Sequence, residues 1–213
     1  MNGLSRTKVF LLAGTLSLCL VVALAICGPA TATDFDFTGT IVNHNDVVLF
    51  GFLNSGGLAN VTAFTSYYDD GGFDPILTVY NVETGNRLAA NDDGGIQTIN
   101  SNAVPYTTGV FDSYLNGNVP NGLYVVALTA FNNFSAGANF LDGFAYDAAT
   151  PISIGTWTGG STGDFQFHIL NVDGARVVSR DEVINRIPEP SSLLLLGSGL
   201  VVLAAALRRK LTV

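Results

Sequence analysis

The sequence predicts an all-β protein: an antiparallel β-sandwich, jelly-roll-like, flanked by an N-terminal signal helix and a C-terminal transmembrane helix. Three observations predict it. Short runs of β-branched and aromatic residues recur between Gly, Asn and Asp turns. No internal segment sustains a helical period. Hydrophobic residues, 48% of 213, crowd into two terminal stretches and leave a polar, Gly- and Asp-rich body between them.

Within the body, Asp34-Phe35-Asp36-Phe37-Thr38 and Asp164-Phe165-Gln166-Phe167-His168-Ile169 alternate polar and apolar residues, the pattern of a strand with one face buried. Asp46 to Leu53, Leu58 to Tyr67, Pro75 to Val82 and Gly122 to Phe131 are further strand-like runs, and Phe111 to Leu115 opens another. Many short strands with such turns make a sandwich or jelly roll. Two stretches, Gly94 to Val110 and Asn132 to Gly163, read as long irregular loops, and loops of that length are usually functional or mobile.

The N-terminal stretch follows Arg6 and Lys8, and residues 9–27 hold 16 apolar residues among 19. Gly28-Pro29-Ala30-Thr31-Ala32 comes next, with Ala30 and Ala32 placed as a small-residue cleavage site. This is the three-part plan of a secretory signal peptide, cut by signal peptidase after Ala32; an uncleaved anchor helix is the alternative. A lipid-attachment cysteine wants a small residue before it, and Leu18 and Ile26 precede Cys19 and Cys27. Cleavage removes both cysteines, so the exported chain has no disulfide.

At the other end, Pro188-Glu189-Pro190-Ser191-Ser192 leads into residues 193–207, 12 of 15 of them apolar, and then into Arg208-Arg209-Lys210. The run is near the lower length limit for a membrane-spanning helix, and the basic cluster is expected to stay cytoplasmic. Both ends therefore place residues 33–187 outside the inner membrane. The expected division is a signal peptide at 1–32, an exported domain at 33–187 and a sorting segment at 188–213.

The domain carries sixteen acidic residues against four arginines, Arg87, Arg176, Arg180 and Arg186, for a net charge of −12 and no lysine. Such a surface repels nucleic acid and attracts cations.

Pro188-Glu189-Pro190, the hydrophobic helix and the terminal basic cluster resemble, in that order, the PEP-CTERM sorting signal of Gram-negative bacteria. The resemblance implies recognition and processing by exosortase, a membrane-embedded cysteine protease. It also implies a transient stay at the inner membrane and an envelope or exopolysaccharide setting. The alternative is an ordinary tail anchor behind a proline-rich linker.

Acidic residues cluster in Asp69-Asp70-Gly71-Gly72-Phe73-Asp74-Pro75, in Asn91-Asp92-Asp93-Gly94-Gly95 and around Asp112. Calcium takes six to eight oxygen ligands, often loop carboxylates. Loops at one edge of a sandwich would gather Asp74, Asp92, Asp93 and Asp112 as a calcium site. The other reading is that Asp and Asn form turns there.

Phe73-Asp74-Pro75-x-Leu77-x-x-Tyr80, Asn91-Asp92-Asp93-Gly94, Asp112-Ser113-Tyr114-Leu115 and Gly122-x-Tyr124-x-x-Ala127-Leu128 are similar, in order, to bacterial pre-peptidase C-terminal β-sandwich modules over roughly residues 46–172. Asn132-Asn133-Phe134 and Leu141-Asp142-Gly143-Phe144 sit where those modules carry similar loops. The resemblance implies an accessory, non-catalytic domain, some relatives of which bind calcium or matrix polymers.

Gly159-Gly160-Ser161-Thr162-Gly163 satisfies G-x-S-x-G, but a hydrolase elbow needs a strand before the serine and a helix after it, and here a strand follows. His44 sits in a turn and His168 on the polar side of its strand; zinc sites want several His or Cys ligands, and neither histidine is assigned to metal or catalysis. Aromatic residues near the loops, Phe134 and Trp157 among them, are candidate glycan contacts or loop packing. The expectation is a non-enzymatic structural or adhesive protein of the cell surface or matrix, calcium-stabilised, acting with exopolysaccharide. The alternative is a carbohydrate-binding module with a defined glycan ligand.

Overall fold

The computed structural model describes residues 32–187. Ala30, the Pro188-Glu189-Pro190 motif and the Arg208, Arg209 and Lys210 cluster lie outside the described residues, and Ala32 is the first of them. Among the described residues no helix is long and apolar enough to cross a membrane.

The fold is all-β. Strands β1 (Thr33–Thr40), β10 (Asp164–Val172), β3 (Ala59–Thr65) and β8 (Tyr114–Val119) form a four-stranded antiparallel sheet in that order. Strands β11 (Gly174–Val178), β2 (Val48–Asn54), β9 (Gly122–Ala130), β4 (Pro75–Asn81) and β5 (Arg87–Asn91) form a five-stranded one. A separate hairpin pairs β6 (Thr98–Ser101) with β7 (Val104–Thr107). The described α-helices are short: α1 (Ile154–Thr158) and α2 (Arg180–Ile184).

Side chains one face apart explain which strands alternate. Phe165, Phe167 and Ile169 of β10 enter the core between the sheets, while Gln166 and His168 take the opposite face. Phe37, Phe50 and Phe167 bridge the two sheets, with ring centroids 4.9 Å apart for Phe37–Phe50 and 4.3 Å for Phe50–Phe167. Strands β4 and β9 read as continuous apolar runs because both of their faces are buried. Leu77, Val79, Tyr124, Val126 and Leu128 face the inter-sheet core, and Tyr80, Val125 and Ala127 face a second cluster with Phe140, Phe144, Val183 and Ile187.

The stretch Asn132 to Gly163 is largely irregular, as its sequence predicts, and that second cluster anchors it. Its first half folds over the outer face of the five-stranded sheet. Phe140 there is 1% exposed, and its ring lies edge-on to Tyr80 at 5.3 Å. Gly94 to Val110 likewise holds the β6–β7 hairpin, which turns through Asn102 and Ala103, both at positive φ (49° and 64°), as a two-residue hairpin turn demands. The hairpin lies on the four-stranded sheet, where Ser101 Oγ donates to Asp36 Oδ1 at 2.6 Å and Asn102 Nδ2 to Asp36 Oδ2 at 2.8 Å.

Candidate functional site

At one end of the sandwich, the antiparallel pairing of Leu77 with Asn91 carries the chain before β4 alongside the chain after β5. Asp74 thereby meets Asp92 and Asp93, with a carboxylate oxygen from each lying within 4.8 Å of the others. Backbone bonds hold the loops that carry them. Phe131 N donates to Asp74 O at 2.8 Å, and Gly94 N donates to Asp112 O at 2.7 Å. Ser113 Oγ lies 2.7 Å from the carbonyls of Pro75 and Asn91, and its single proton ties these loops to the start of β8.

The electrostatics of the three carboxylates are unfavourable without a cation. Asp74 Oδ1 and Asp92 Oδ1 are buried and accept no hydrogen bond. Burial, then the charges of Asp92, Asp93 and Asp112, push the Asp74 carboxyl up to about 7. Burial and then Asp93 raise Asp92 as well. None of the ion pairs among the described residues includes any of the three.

Asp112 stands apart from this group. Its side chain is buried and accepts from Thr65 Oγ1 at 2.8 Å, Gly109 N at 2.8 Å, Tyr67 N at 3.3 Å and Tyr68 N at 3.4 Å. It ties the end of β3 to the loop before β8, a role within the fold. The sequence shows the four acids together but not which of them the backbone has already engaged.

The two aromatic candidates are separated in role. Trp157 is 37% exposed and lies over His44 at 4.5 Å and edge-on to Tyr146 at 5.5 Å. It lines a polar cleft of 320 Å³ with Tyr68, Asp74, Phe131, Asn132, Thr158 and Ser161. Phe134 is 40% exposed and packs edge-on against Phe131, outside that cleft. His44 is buried beneath Trp157 and accepts from Ile152 N, a packed turn residue. The G-x-S-x-G segment joins α1 to β10, with helix before and strand after, the reverse of an elbow. Gly163 has φ of 82° there, and a Cβ would stand 2.3 Å from Ile41 O.

A second polar constellation was not read from the sequence. On the outer face of the four-stranded sheet, Asp36 of β1 pairs directly with His168 of β10. His168 Nδ1 lies 2.6 Å from Asp36 Oδ1, and its Nε2 lies 2.8 Å from Ser66 Oγ, just past β3. His168 is 1% exposed, its ring stacked on Phe64 at 4.4 Å and covered by Tyr106 of β7 at 4.0 Å. Burial lowers its pKa against the pull of Asp36, so the ring is neutral at neutral pH, with Nδ1–H donated to the carboxylate. Asp36 is resisted by its own burial, yet hydrogen bonds from Ser101, His168 and Asn102 carry it below its usual value. Asp36 and His168 share a face through period-2 alternation, a legible signal; the approach of Ser66 depends on strand pairing.

Residues 186–210 match the PEP-CTERM protein-sorting motif. That motif implies export, transient membrane anchoring and processing by exosortase at the cell surface. Among solved structures, the pre-peptidase C-terminal domain of a collagenase from Bacillus anthracis is similar at 10% identity and a TM-score of 0.35, over 68% of this chain and 90% of that chain. No curated protein matches the chain.

Proposed function

We propose that the chain is a structural or adhesive component of the cell surface or extracellular matrix, acting with exopolysaccharide. The division is a signal peptide at 1–32, an exported sandwich at 33–187 and a removable sorting segment at 188–213. The sorting motif at 186–210 carries this reading. A surface role of this kind requires no enzymatic step from the sandwich. Mass spectrometry of both termini, on membrane and matrix fractions, tests it. A matrix form that starts at Thr33 and ends near Pro188-Glu189-Pro190 is expected, and intact C-termini in every fraction would sink it.

Calcium is the proposed stabilising ion, held by Asp74, Asp92 and Asp93. The two orphaned carboxylate oxygens and the raised Asp74 support it, since a divalent cation removes the repulsion that raises both acids. Saturating calcium at a hundred times its dissociation constant would add about 2.7 kcal/mol to stability. Equal melting temperatures in calcium and in chelator at pH 8 would refute the site.

The glycan-binding alternative is favoured by one observation: the cleft that sets Trp157, Tyr68 and Phe131 beside Asp74, Asn132 and Ser161. Aromatic faces with neighbouring hydrogen-bonding groups suit a sugar ring. A polysaccharide pull-down separates the readings, since saturable binding lost in Trp157→Ala belongs to a defined ligand.

A further inference from the structure

We propose that Ser66, His168 and Asp36 form a nucleophilic serine site on the outer face of the four-stranded sheet, with a small activated acyl ester as its class of substrate. The inference goes beyond the surface role above and does not depend on it. The signature of an activated serine is geometric: a hydroxyl within reach of a base, and that base oriented by a third group. Both contacts are present, at 2.8 Å and 2.6 Å, and on the two different ring nitrogens. The same three residue types in the same relation recur on unrelated folds, so chain order is no objection.

The surroundings fit the role. Phe64 stacks on the imidazole and Tyr106 packs against it from a second side, which holds the edge that Nε2 presents to Ser66. Asp36 is in turn held by Ser101 and Asn102 of the hairpin and retains 28% of its side-chain exposure. Ser66 is half-buried, just past the end of β3. Gln166, also half-buried, places its carboxamide 3.4 Å from that Oγ. A half-turn of this amide would offer its N–H2 as a donor beside the tetrahedral adduct, whose oxyanion is the former carbonyl oxygen of the ester.

The chemistry balances with these groups alone. Ser66 Oγ adds to the ester carbonyl carbon while its proton moves to His168 Nε2. The bond to the leaving alkoxide breaks, and the alkoxide takes that proton as the alcohol. Water then adds to the acyl-serine, gives its proton to the same Nε2, and releases the carboxylic acid as the proton returns to Oγ. Asp36 is a positioning residue: it holds the tautomer with Nδ1–H and stabilises the imidazolium formed in passing.

A biotinylated fluorophosphonate tests the site on the full chain in mild detergent. Attack forms the Oγ–P bond, breaks P–F, releases fluoride, and leaves the Oγ proton on His168. The expected result is one adduct, mapped to Ser66 by tandem mass spectrometry and lost in Ser66→Ala. His168→Gln should slow labelling at least about 100-fold, the lower range of general-base catalysis. Because His168 is buried and its variant can misfold, Asp36→Asn is read beside it, with circular dichroism on both, and should slow labelling of a folded chain at least about tenfold. Labelling of Ser66 no faster than of Ser161 in the exposed Gly-rich loop overturns the proposal. So does labelling of Ser66 at an unchanged rate in folded Asp36→Asn.

Discussion

Replacing Asp112 by Asn separates a role in the fold from a role in binding a cation. The Asp112 carboxylate accepts two short bonds, from Thr65 Oγ1 and Gly109 N at 2.8 Å, and two longer ones from Tyr67 N and Tyr68 N. Asparagine keeps one oxygen. Turned toward Gly109 and Tyr68, it leaves its N–H2 facing Thr65, whose hydroxyl can rotate to accept, and Tyr67 N–H, which cannot. The loss is one orphaned donor together with the charge that strengthened the remaining bonds, roughly 2–3 kcal/mol. For a domain of this size that lowers the melting temperature by roughly 4–12 °C. The assay is thermal unfolding of wild type and Asp112→Asn, each in calcium and in chelator. The variant should melt lower in both buffers and keep the wild-type calcium response. An unchanged melting temperature in chelator with loss of the calcium response would refute the reasoning and make Asp112 a ligand.

Three further outcomes are expected. In chelator, Asp74 binds its proton more tightly in the native chain than in the unfolded one, so its contribution is full below about pH 4, falls as pH rises to about 7, and is level above. The span is at most about 4 kcal/mol and nearer 2 after solvent screening; Asp74→Asn should flatten it in a pH series of denaturant midpoints. Phe140→Ala should cost about 3–5 kcal/mol by urea unfolding, because the ring is buried against Tyr80 and Phe144 under the long cover segment. A cost below about 1 kcal/mol would show that segment to be detachable. Ala103→Gly should raise stability by up to about 1 kcal/mol, since alanine at φ of 64° is strained where glycine is not.

The strands legible in the sequence are those whose side chains meet different surroundings on their two faces, or bulky apolar ones on both. Asp164 to Ile169 alternates because one face enters the core, and Gly122 to Ala130 is a continuous apolar run because both faces are buried. Strands β6, β7 and β11 escaped the reading. Each is four or five residues long, too short for its pattern of burial to establish a period. The acidic group was half legible. Turn composition marked four aspartates, but only the β4–β5 register brings Asp74 to Asp92 and Asp93. The Thr65 hydroxyl and backbone donors of two segments, at Tyr67–Tyr68 and at Gly109, claim Asp112 instead.

The sequence by itself determined the sorting address, the acidity of the body and its all-β class. Each is written in local order or composition: a motif, a count, a period of two. The tertiary structure alone decided which polar residues stand together. Asp36, Ser66 and His168 come from segments far apart in the chain, and hydrogen bonds of 2.6 Å and 2.8 Å join them only after the sheet has paired β1 with β10 and β10 with β3. Strand pairing sets which distant residues meet, and a single residue's slip in register would turn His168 into the core.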